Sequence, residues 1–195
     1  VDSMVVGKFV NKDALAAVGA TGSSVFLIFG LTFGLSAGIS IVISQYFGAG
    51  DYDRVKKSIA TATYILLIAS VIMGAVGYFA SRPLLELLDT PAEIIDQSES
   101  YMKICFLGIL GTVSYNGIAS ILRALGDAIT PLIFLILASI INVILDLLFV
   151  IVFHWDVPGV AMATIISQFI SGIGCIIYAY SKVKLLRIPI REFKP

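Results

Sequence analysis

The sequence predicts an all-α protein, a polytopic membrane helix bundle, and two observations lead to that fold class. First, 58% of the 195 residues are hydrophobic and 13% are charged. Soluble domains average roughly 45–50% apolar residues and about 25% charged ones. Second, the charges leave long gaps between Asp13 and Asp51, Lys57 and Arg82, Lys103 and Arg123, and Asp156 and Lys182, and a fifth gap, between Asp127 and Asp156, contains the single charge of Asp146. Each gap is long enough to cross a hydrocarbon core of about 30 Å. In lipid, a segment that is not part of a closed β-barrel satisfies its backbone amides only by forming a helix.

Five complete spanning helices are predicted, together with the end of a first one. Residues 1–10 are mostly apolar and are typical of the tail of a spanning helix, so we expect the chain to be a fragment. Residues 11–19 are predicted to be a short helical link. The spans that follow are predicted near 22–46, 58–81, 101–123, 131–153 and 159–181, with a basic tail at 182–195.

Capping residues and prolines predict where several helices begin and end. Pro83 is expected to end the second complete span, because proline cannot continue a helix. Thr90 stands three residues before Glu93, which is the spacing of a capping box and predicts a short polar helix before the third span. Thr130 is predicted to cap the fourth span, with Pro131 at its first helical position.

The basic residues divide unequally between the two sides of the predicted bundle. Cytoplasmic loops of membrane proteins carry the excess of Lys and Arg. We therefore expect a multi-pass plasma (inner) membrane protein whose loops 48–57 and 124–130 and basic tail are cytoplasmic. The tail is expected to anchor at the lipid surface rather than to recognise a particular lipid. One side receives nine basic residues, against four on the other: Arg54, Lys56, Lys57, Arg123, Lys182, Lys184, Arg187, Arg191 and Lys194.

Composition and motifs exclude several classes of protein. The 13 basic and 13 acidic residues cancel, so no overall field indicates a nucleic-acid partner. The sequence contains neither the phosphate-binding G-x-x-x-x-G-K-[ST] loop nor the H-E-x-x-H metal motif. We therefore predict that the chain is not an enzyme and uses no cofactor, and we expect an ion gradient or a partner to drive any work.

Small residues recur at every fourth position of the first complete span, at Gly30, Gly34 and Gly38. Such spacing lets two helix backbones approach closely in lipid, where apolar burial gives no net drive between helices. We expect this stripe to pack against other helices of the same protein. A homodimer face is the less favoured alternative.

The polar residues within the spans are the candidate functional residues. Asn142 and Asp146 stand four residues apart, which places them on one face of a helix. A carboxylate near the middle of a span costs about 2.5–3.5 kcal/mol, so Asp146 must face a partner, a water-filled cavity or a cation. The pair is either a hydrogen-bonded contact between helices or, as we favour, a proton or cation site. Further candidates are Asp2, Tyr115, Asn116 and Thr164.

Ordered motifs along essentially the whole chain resemble the MATE (multidrug and toxic compound extrusion) transporters. The resemblance implies one six-helix lobe, the N-terminal one, of a twelve-helix transporter, without the C-terminal lobe. The motifs are Val1-Asp2-Ser3-Met4-Val5-Val6-Gly7, Gly34-Leu35-Ser36-Ala37-Gly38, Ser44-Gln45-Tyr46-Phe47-Gly48-Ala49-Gly50-Asp51 and Leu122-Arg123-Ala124-Leu125-Gly126-Asp127, then Thr130-Pro131 leading into Asn142 and Asp146.

The resemblance also implies a site. In the branch of the family that this chain is similar to, an aspartate of helix 1, an Asn/Asp pair of helix 5 and a threonine of helix 6 line a cation site. The matching positions are Asp2, Asn142, Asp146 and Thr164, where the resemblance implies Na⁺ or H⁺ binding. Asn116, beside Tyr115, is a looser match in helix 4.

By this resemblance the function is secondary active efflux of small cationic or amphipathic organic compounds, by antiport with Na⁺ or H⁺ through alternating access. The expected partners are membrane lipid, the substrate, and the C-terminal lobe or a second copy of the chain. One alternative is a flippase for lipid-linked oligosaccharides or other lipids of the same superfamily, which would be expected to have a more cationic cavity. Another is a non-transporting membrane scaffold, in which Asp146 would be dispensable.

Overall fold

A computed structural model describes residues 2–186, with the side chains at 27, 28 and 184 excepted, and within that range helices joined by short turns are the only regular secondary structure. Val1 and positions 187–195, which include most of the predicted basic tail, lie outside the described residues. The all-α fold class is confirmed. The α-helices are α1 Asp2–Phe9, α2 Lys12–Gly48, α3 Tyr52–Leu87, α4 Ile95–Leu107, α5 Ile109–Ala124, α6 Ile129–Leu147 and α7 Asp156–Lys182, with a π-helical turn at Leu148–Val152 and a 3₁₀ turn at Lys184–Leu186.

Within residues 2–186, four helices are long and apolar enough to cross a membrane, and α4 with α5 makes a fifth if the two count as one span. Large apolar side chains such as Phe79, Ile129 and Ile177 are exposed along these helices. In a soluble protein such surfaces would associate or aggregate, whereas lipid accepts them. The chain is therefore a multi-pass membrane protein.

The helices extend further than the predicted spans because polar caps, and not the first charged residues, mark where they begin. The side chain of Asn11 accepts a hydrogen bond from the amide of Ala14 at 2.7 Å. Residues 12–19 are therefore the first turns of α2, and the short link predicted there is absorbed into that helix. At the start of α3, Asp51 accepts from the amide of Arg54 at 3.1 Å. Composition limits the part of a helix that lies in hydrocarbon, but it does not end the helix.

Three predicted boundaries are wrong. Helix α3 continues through Pro83 to Leu87, since the missing amide of a proline deprives only one carbonyl of its donor. The segment after Thr90 is a turn, and α4 begins at Ile95 without a side-chain cap. Helix α6 begins at Ile129, and its first turn is capped by Asp127, whose carboxylate accepts from the amide of Thr130 at 2.9 Å.

The predicted third span at 101–123 is not one straight helix. It consists of α4 and α5, which meet at Gly108 with a bend of 47°. A Cβ at Gly108 would overlap the side chain of Ile165 in α7. The absence of a side chain thus lets α7 pack closely against the bend.

Helix α7 packs against α4, α5 and α6, while α2 packs against α3, α4 and α5. Two apolar clusters hold the ends of the bundle together. One includes Ile43, Val55 and Leu122, where α2, α3 and α5 meet. The other includes Val6, Tyr101, Val150 and Val160, at the opposite ends of the helices, and it surrounds the polar side chains described next.

The glycine stripe of α2 does not pack against another described helix. A Cβ built on Gly30, Gly34 or Gly38 would meet no atom within 4 Å among the described residues. The expectation of close packing within the chain is therefore not met in this lobe. Gly34 and Gly38 instead line an open groove beside α3, and Gly30 lies outside it.

Candidate functional site

Four side chains from four helices join in one chain of hydrogen bonds. Asn142 of α6 donates through Nδ2 to the hydroxyl of Thr164 in α7 at 3.1 Å. Thr164 donates to Oδ2 of Asp2 in α1 at 3.0 Å. Tyr101 of α4 donates to the same carboxylate oxygen at 2.9 Å. Three of the residues implied by the resemblance, Asp2, Asn142 and Thr164, therefore lie together.

Every donor in this series of hydrogen bonds points toward Asp2. The amide of Asn142 orients the hydroxyl of Thr164, and that hydroxyl must then give its proton to the carboxylate. Asp2 is half-buried and accepts two hydrogen bonds on one oxygen. Hydrogen bonds to an ionised acceptor are shorter and stronger than neutral ones, and here two donors converge on one carboxylate oxygen.

Unlike Asp2, Asp146 lies in surroundings that offer its carboxylate no hydrogen-bond donor among the described residues. It is completely buried (0% exposed), and neither of its carboxylate oxygens has a hydrogen-bond partner among the described residues. It lies one turn beyond Asn142 on the same face of α6. Leu147 beside it packs into the apolar cluster that includes Val150 and Val160. The π-helical turn at Leu148–Val152 follows immediately, and π-turns inside helices occur frequently at functional sites.

This geometry limits what the site can do chemically. A buried carboxylate with no donor is costly unless it holds a proton or a cation. Hard cations prefer carboxylate oxygens together with neutral oxygens such as those of Asn and Thr. Within residues 2–186 no group of three or more His, Cys, Asp and Glu side chains is placed to hold a metal ion. A cation beside Asp146 would therefore need neutral oxygens from its neighbours.

Two of the predicted site residues are engaged elsewhere. The hydroxyl of Tyr115 donates to the backbone carbonyl of Pro131 at 2.8 Å and so ties α5 to the start of α6. The amide of Asn116 donates to the backbone carbonyl of Thr112, one turn back on its own helix, at 2.9 Å. Neither hydrogen bond reaches Asp2, Asn142 or Thr164. A polar residue inside a span does not reveal which neighbour it faces.

Sequence reasoning missed Tyr101. A tyrosine near the start of a predicted span is typical of the membrane interface, and nothing in the pattern indicates a bond to a residue 99 positions away. Its helix is held against α3 by an ion-pair network on the outside of the bundle. Arg82 pairs with Asp96 at 2.9 Å and with Glu99 at 2.8 Å, and Lys103 pairs with Glu99 at 2.6 Å.

A nucleophile pattern also lies in the chain without its required geometry. The residues Gly34-Leu35-Ser36-Ala37-Gly38 have the spacing G-x-S-x-G. A nucleophile elbow needs a sharp strand-to-helix turn that exposes the serine. Ser36 is instead buried within the continuous helix α2. The spacing is therefore not a nucleophile elbow here.

Comparison with known proteins gives several consistent matches. The MatE family model matches residues 1–148. "Probable multidrug resistance protein YpnP" of Bacillus subtilis is 36% identical over 168 residues, which is 86% of this chain and 38% of that protein. "Multidrug export protein MepA" of Staphylococcus haemolyticus is 28% identical over 192 residues, which is 97% of this chain and 42% of that protein.

Solved structures agree with these relatives. A crystal structure of a MATE protein in the bent conformation superposes with a TM-score of 0.94 at 25% identity, and it covers 100% of this chain and 43% of that one. An inward-facing multidrug resistance MATE family transporter superposes with a TM-score of 0.92 at 25% identity, and the match covers 100% of this chain and 44% of that one. The chain thus spans less than half the length of the proteins it matches, which corresponds to one lobe. The family model, which matches most of the chain, together with the superposition of the whole chain, shows that the chain belongs to the MatE family of membrane transporters.

Proposed function

We propose that this chain provides the cation-binding lobe of a secondary active transporter that exports cationic or amphipathic organic compounds in exchange for Na⁺ or H⁺. The observation that carries the proposal is the unequal pair of aspartates. Asp2 accepts two hydrogen bonds, whereas Asp146 is buried without a partner among the described residues. The names of the relatives, multidrug resistance and multidrug export proteins, indicate the substrate class.

The exchange follows from charge. With both carboxylates ionised, this end of the lobe attracts a cation. Asp146 gains most from a bound cation, because no described residue donates a hydrogen bond to it. Binding of H⁺ or Na⁺ removes negative charge and therefore weakens the binding of a cationic substrate nearby. Linkage makes the effect reciprocal: a bound substrate weakens ion binding by the same factor. This mutual exclusion is the requirement for antiport.

Alternating access needs a second body against which this lobe can rock. The matched proteins are more than twice as long as the matched segment, so we propose that a second lobe supplies the other wall of the substrate cavity. A second copy of this chain would serve the same purpose. Crosslinking between two differently tagged copies distinguishes these two arrangements.

The test of the proposed function is Asp146→Asn, with Asp53→Asn as the matched control. Asp53 is exposed near the start of α3, whereas Asp146 is buried. We expect Asp146→Asn to abolish ion-driven dye efflux from loaded vesicles, because an amide cannot take up H⁺ and binds a cation weakly. Asp53→Asn should transport like the wild type, with Na⁺ and pH gradients applied separately.

Folding is followed in the same variants by thermal unfolding. Removal of a charge that has no donor among the described residues should leave the melting temperature of Asp146→Asn unchanged or higher, because burial of an uncompensated charge is unfavourable. Ion-driven efflux by Asp146→Asn at the wild-type rate would show that the proposal is wrong.

A further inference from the structure

An open groove of about 620 Å³ lies between α2 and α3, in the halves of these helices that lie next to the turn joining them. Its lining includes Gly34, Gly38, Val42 and Ile65. The groove exists because the two glycines carry no side chain to fill it. A Cβ at either position would meet no atom within 4 Å.

The polar groups of the groove are concentrated at one end. Arg54 and Lys57, at the start of α3, line its mouth together with Tyr46. The Arg54 guanidinium lies 5.6 Å from the centre of the Tyr46 ring and pairs with the carboxylate of Asp51 at 3.1 Å. Lys57 takes part in none of the ion pairs found within residues 2–186. A second anion can therefore bind at this mouth.

The length of the groove matches one leaflet of a bilayer. Gly34 and Tyr46 both line it, and at 1.5 Å per residue they are about 18 Å apart along the axis of α2. The hydrocarbon core is about 30 Å thick, so one leaflet contributes about half of that. A cationic mouth above an apolar slot of this length complements an amphiphile with an anionic head and a hydrocarbon tail.

We propose that this groove binds an anionic phospholipid. One acyl chain lies along Gly34 and Gly38, and the phosphate lies between Lys57 and Arg54. The proposal does not rest on the transport function, because the groove shares no residue with Asp2, Asn142, Asp146 or Thr164 and takes a different ligand. A packed protein helix would fit less well, because the cationic mouth would then need an acidic partner at one end.

The first test removes single charges. Native mass spectrometry of the purified protein measures retention of phosphatidylglycerol, with phosphatidylcholine as the zwitterionic probe. We expect Lys57→Gln and Arg54→Gln each to weaken phosphatidylglycerol retention about fivefold, the effect of one basic residue at an anionic surface. The matched control is Lys56→Gln, which removes the same charge from the same turn of α3 but does not line the groove. Equal losses in Lys56→Gln and Lys57→Gln would overturn the proposal.

The second test fills the slot. Gly38→Leu places a side chain in the groove, and Gly30→Leu places the same side chain on the same helix outside it. A Cβ at either position has open space, so both variants should fold. We expect Gly38→Leu, and not Gly30→Leu, to lose retained phosphatidylglycerol. Unchanged phosphatidylglycerol retention by Gly38→Leu would overturn the proposal. If the same variant also fails to assemble with a second lobe or a second copy, the groove is a protein contact instead.

Discussion

Asp2 and Asp146 differ in how well their carboxylates are stabilised, because hydrogen-bond donors surround one and not the other. Tyr101 and Thr164 both donate to Asp2, while Asp146 receives no donor from the described residues. An ion that neutralises Asp146 relieves an unfavourable burial, but an ion at Asp2 must compete with two hydrogen bonds. At the scale of single residues, the proposed function predicts that the donors around Asp2 tune its affinity for the coupling ion.

Tyr101→Phe tests this tuning. The substitution removes a hydrogen bond to a charged group, worth about 1.5–3 kcal/mol, while the ring still fills its apolar cluster. The free, ionised site is then less stable relative to the ion-bound site. We expect the ion concentration that gives half-maximal efflux to fall by about tenfold or more. Titration of dye efflux against Na⁺ and against H⁺ measures the change.

The matched control is Tyr115→Phe, which removes the hydroxyl that binds the carbonyl of Pro131. This variant should have a lower melting temperature, because that carbonyl loses its donor, and an unchanged ion dependence. If both tyrosine variants shift the ion dependence equally, the shift does not come from the hydrogen bond to Asp2.

Asp127, at the start of α6, should make stability depend on pH. The hydroxyl of Thr130 and its backbone amide donate to this carboxylate and hold its pKa below the ordinary value. Because the folded-state pKa is the lower one, the stabilisation is present above the unfolded-state pKa of about 3.9 and is lost as pH falls through the folded-state pKa.

We expect Asp127→Ala to destabilise the protein by about 1 kcal/mol at neutral pH, as loss of a helix cap does. The difference from the wild type should shrink as the solution is acidified below about pH 3.9. Asp127→Asn keeps an acceptor and should retain most of the stability at neutral pH. Melting temperatures across a pH series measure both effects, and a pH-independent difference for Asp127→Ala would contradict the linkage.

At the scale of helices, the bend between α4 and α5 places Tyr101 near Asp2. Helix α4 carries Tyr101, and the ion pairs of Arg82 with Asp96 and Glu99 hold it against α3. Helix α7 carries Thr164, and its next residue, Ile165, occupies the space that a side chain at Gly108 would need. The bend and the hydrogen-bond chain are therefore built from adjacent residues.

Gly108→Ala should destabilise the lobe, because the new methyl group overlaps Ile165. Overpacking of this kind costs typically 1–3 kcal/mol. In a double-mutant cycle, Gly108→Ala should cost less when combined with Ile165→Ala, which vacates the overlapped space. Thermal unfolding of the four proteins gives the coupling, and strictly additive costs would show that the overlap is not the cause.

At the scale of the whole molecule, the orientation in the membrane connects the site to one side of the bilayer. Excess Lys and Arg on one side predicts that residues 48–57 are cytoplasmic. The site lies toward the opposite ends of the helices, with Tyr101 in α4, before the bend of that span, and Thr164 in the first half of α7. Ions would then enter it from outside the cell.

Cysteine labelling measures this orientation. Cys105 and Cys175 are free and buried, so the parent protein should react little with a membrane-impermeant maleimide. We expect Ser100→Cys to be labelled in intact cells and Asp53→Cys only after permeabilisation, since both positions are exposed on opposite sides of the bundle. The reverse pattern would invert the predicted topology.

Sequence patterns located part of the candidate site. The four-residue spacing of Asn142 and Asp146 determines that they share a helix face, and the resemblance selected Asp2 and Thr164. Neither argument could find Tyr101, because its role depends on how the bend at Gly108 orients α4. The same limitation applies to Tyr115, because a helical pattern does not determine which neighbour a polar side chain meets.

The sequence by itself determined the fold class and the membrane-spanning character. These follow from local composition, because a backbone in lipid must form its hydrogen bonds within each segment. Only the tertiary structure decided that Asp2 is hydrogen-bonded while Asp146 is not, and that Gly34 and Gly38 face an open groove rather than a packed helix. The physical reason is that these properties depend on atoms far away in the chain, brought together by packing between helices, and the composition of one helix contains no record of its neighbours.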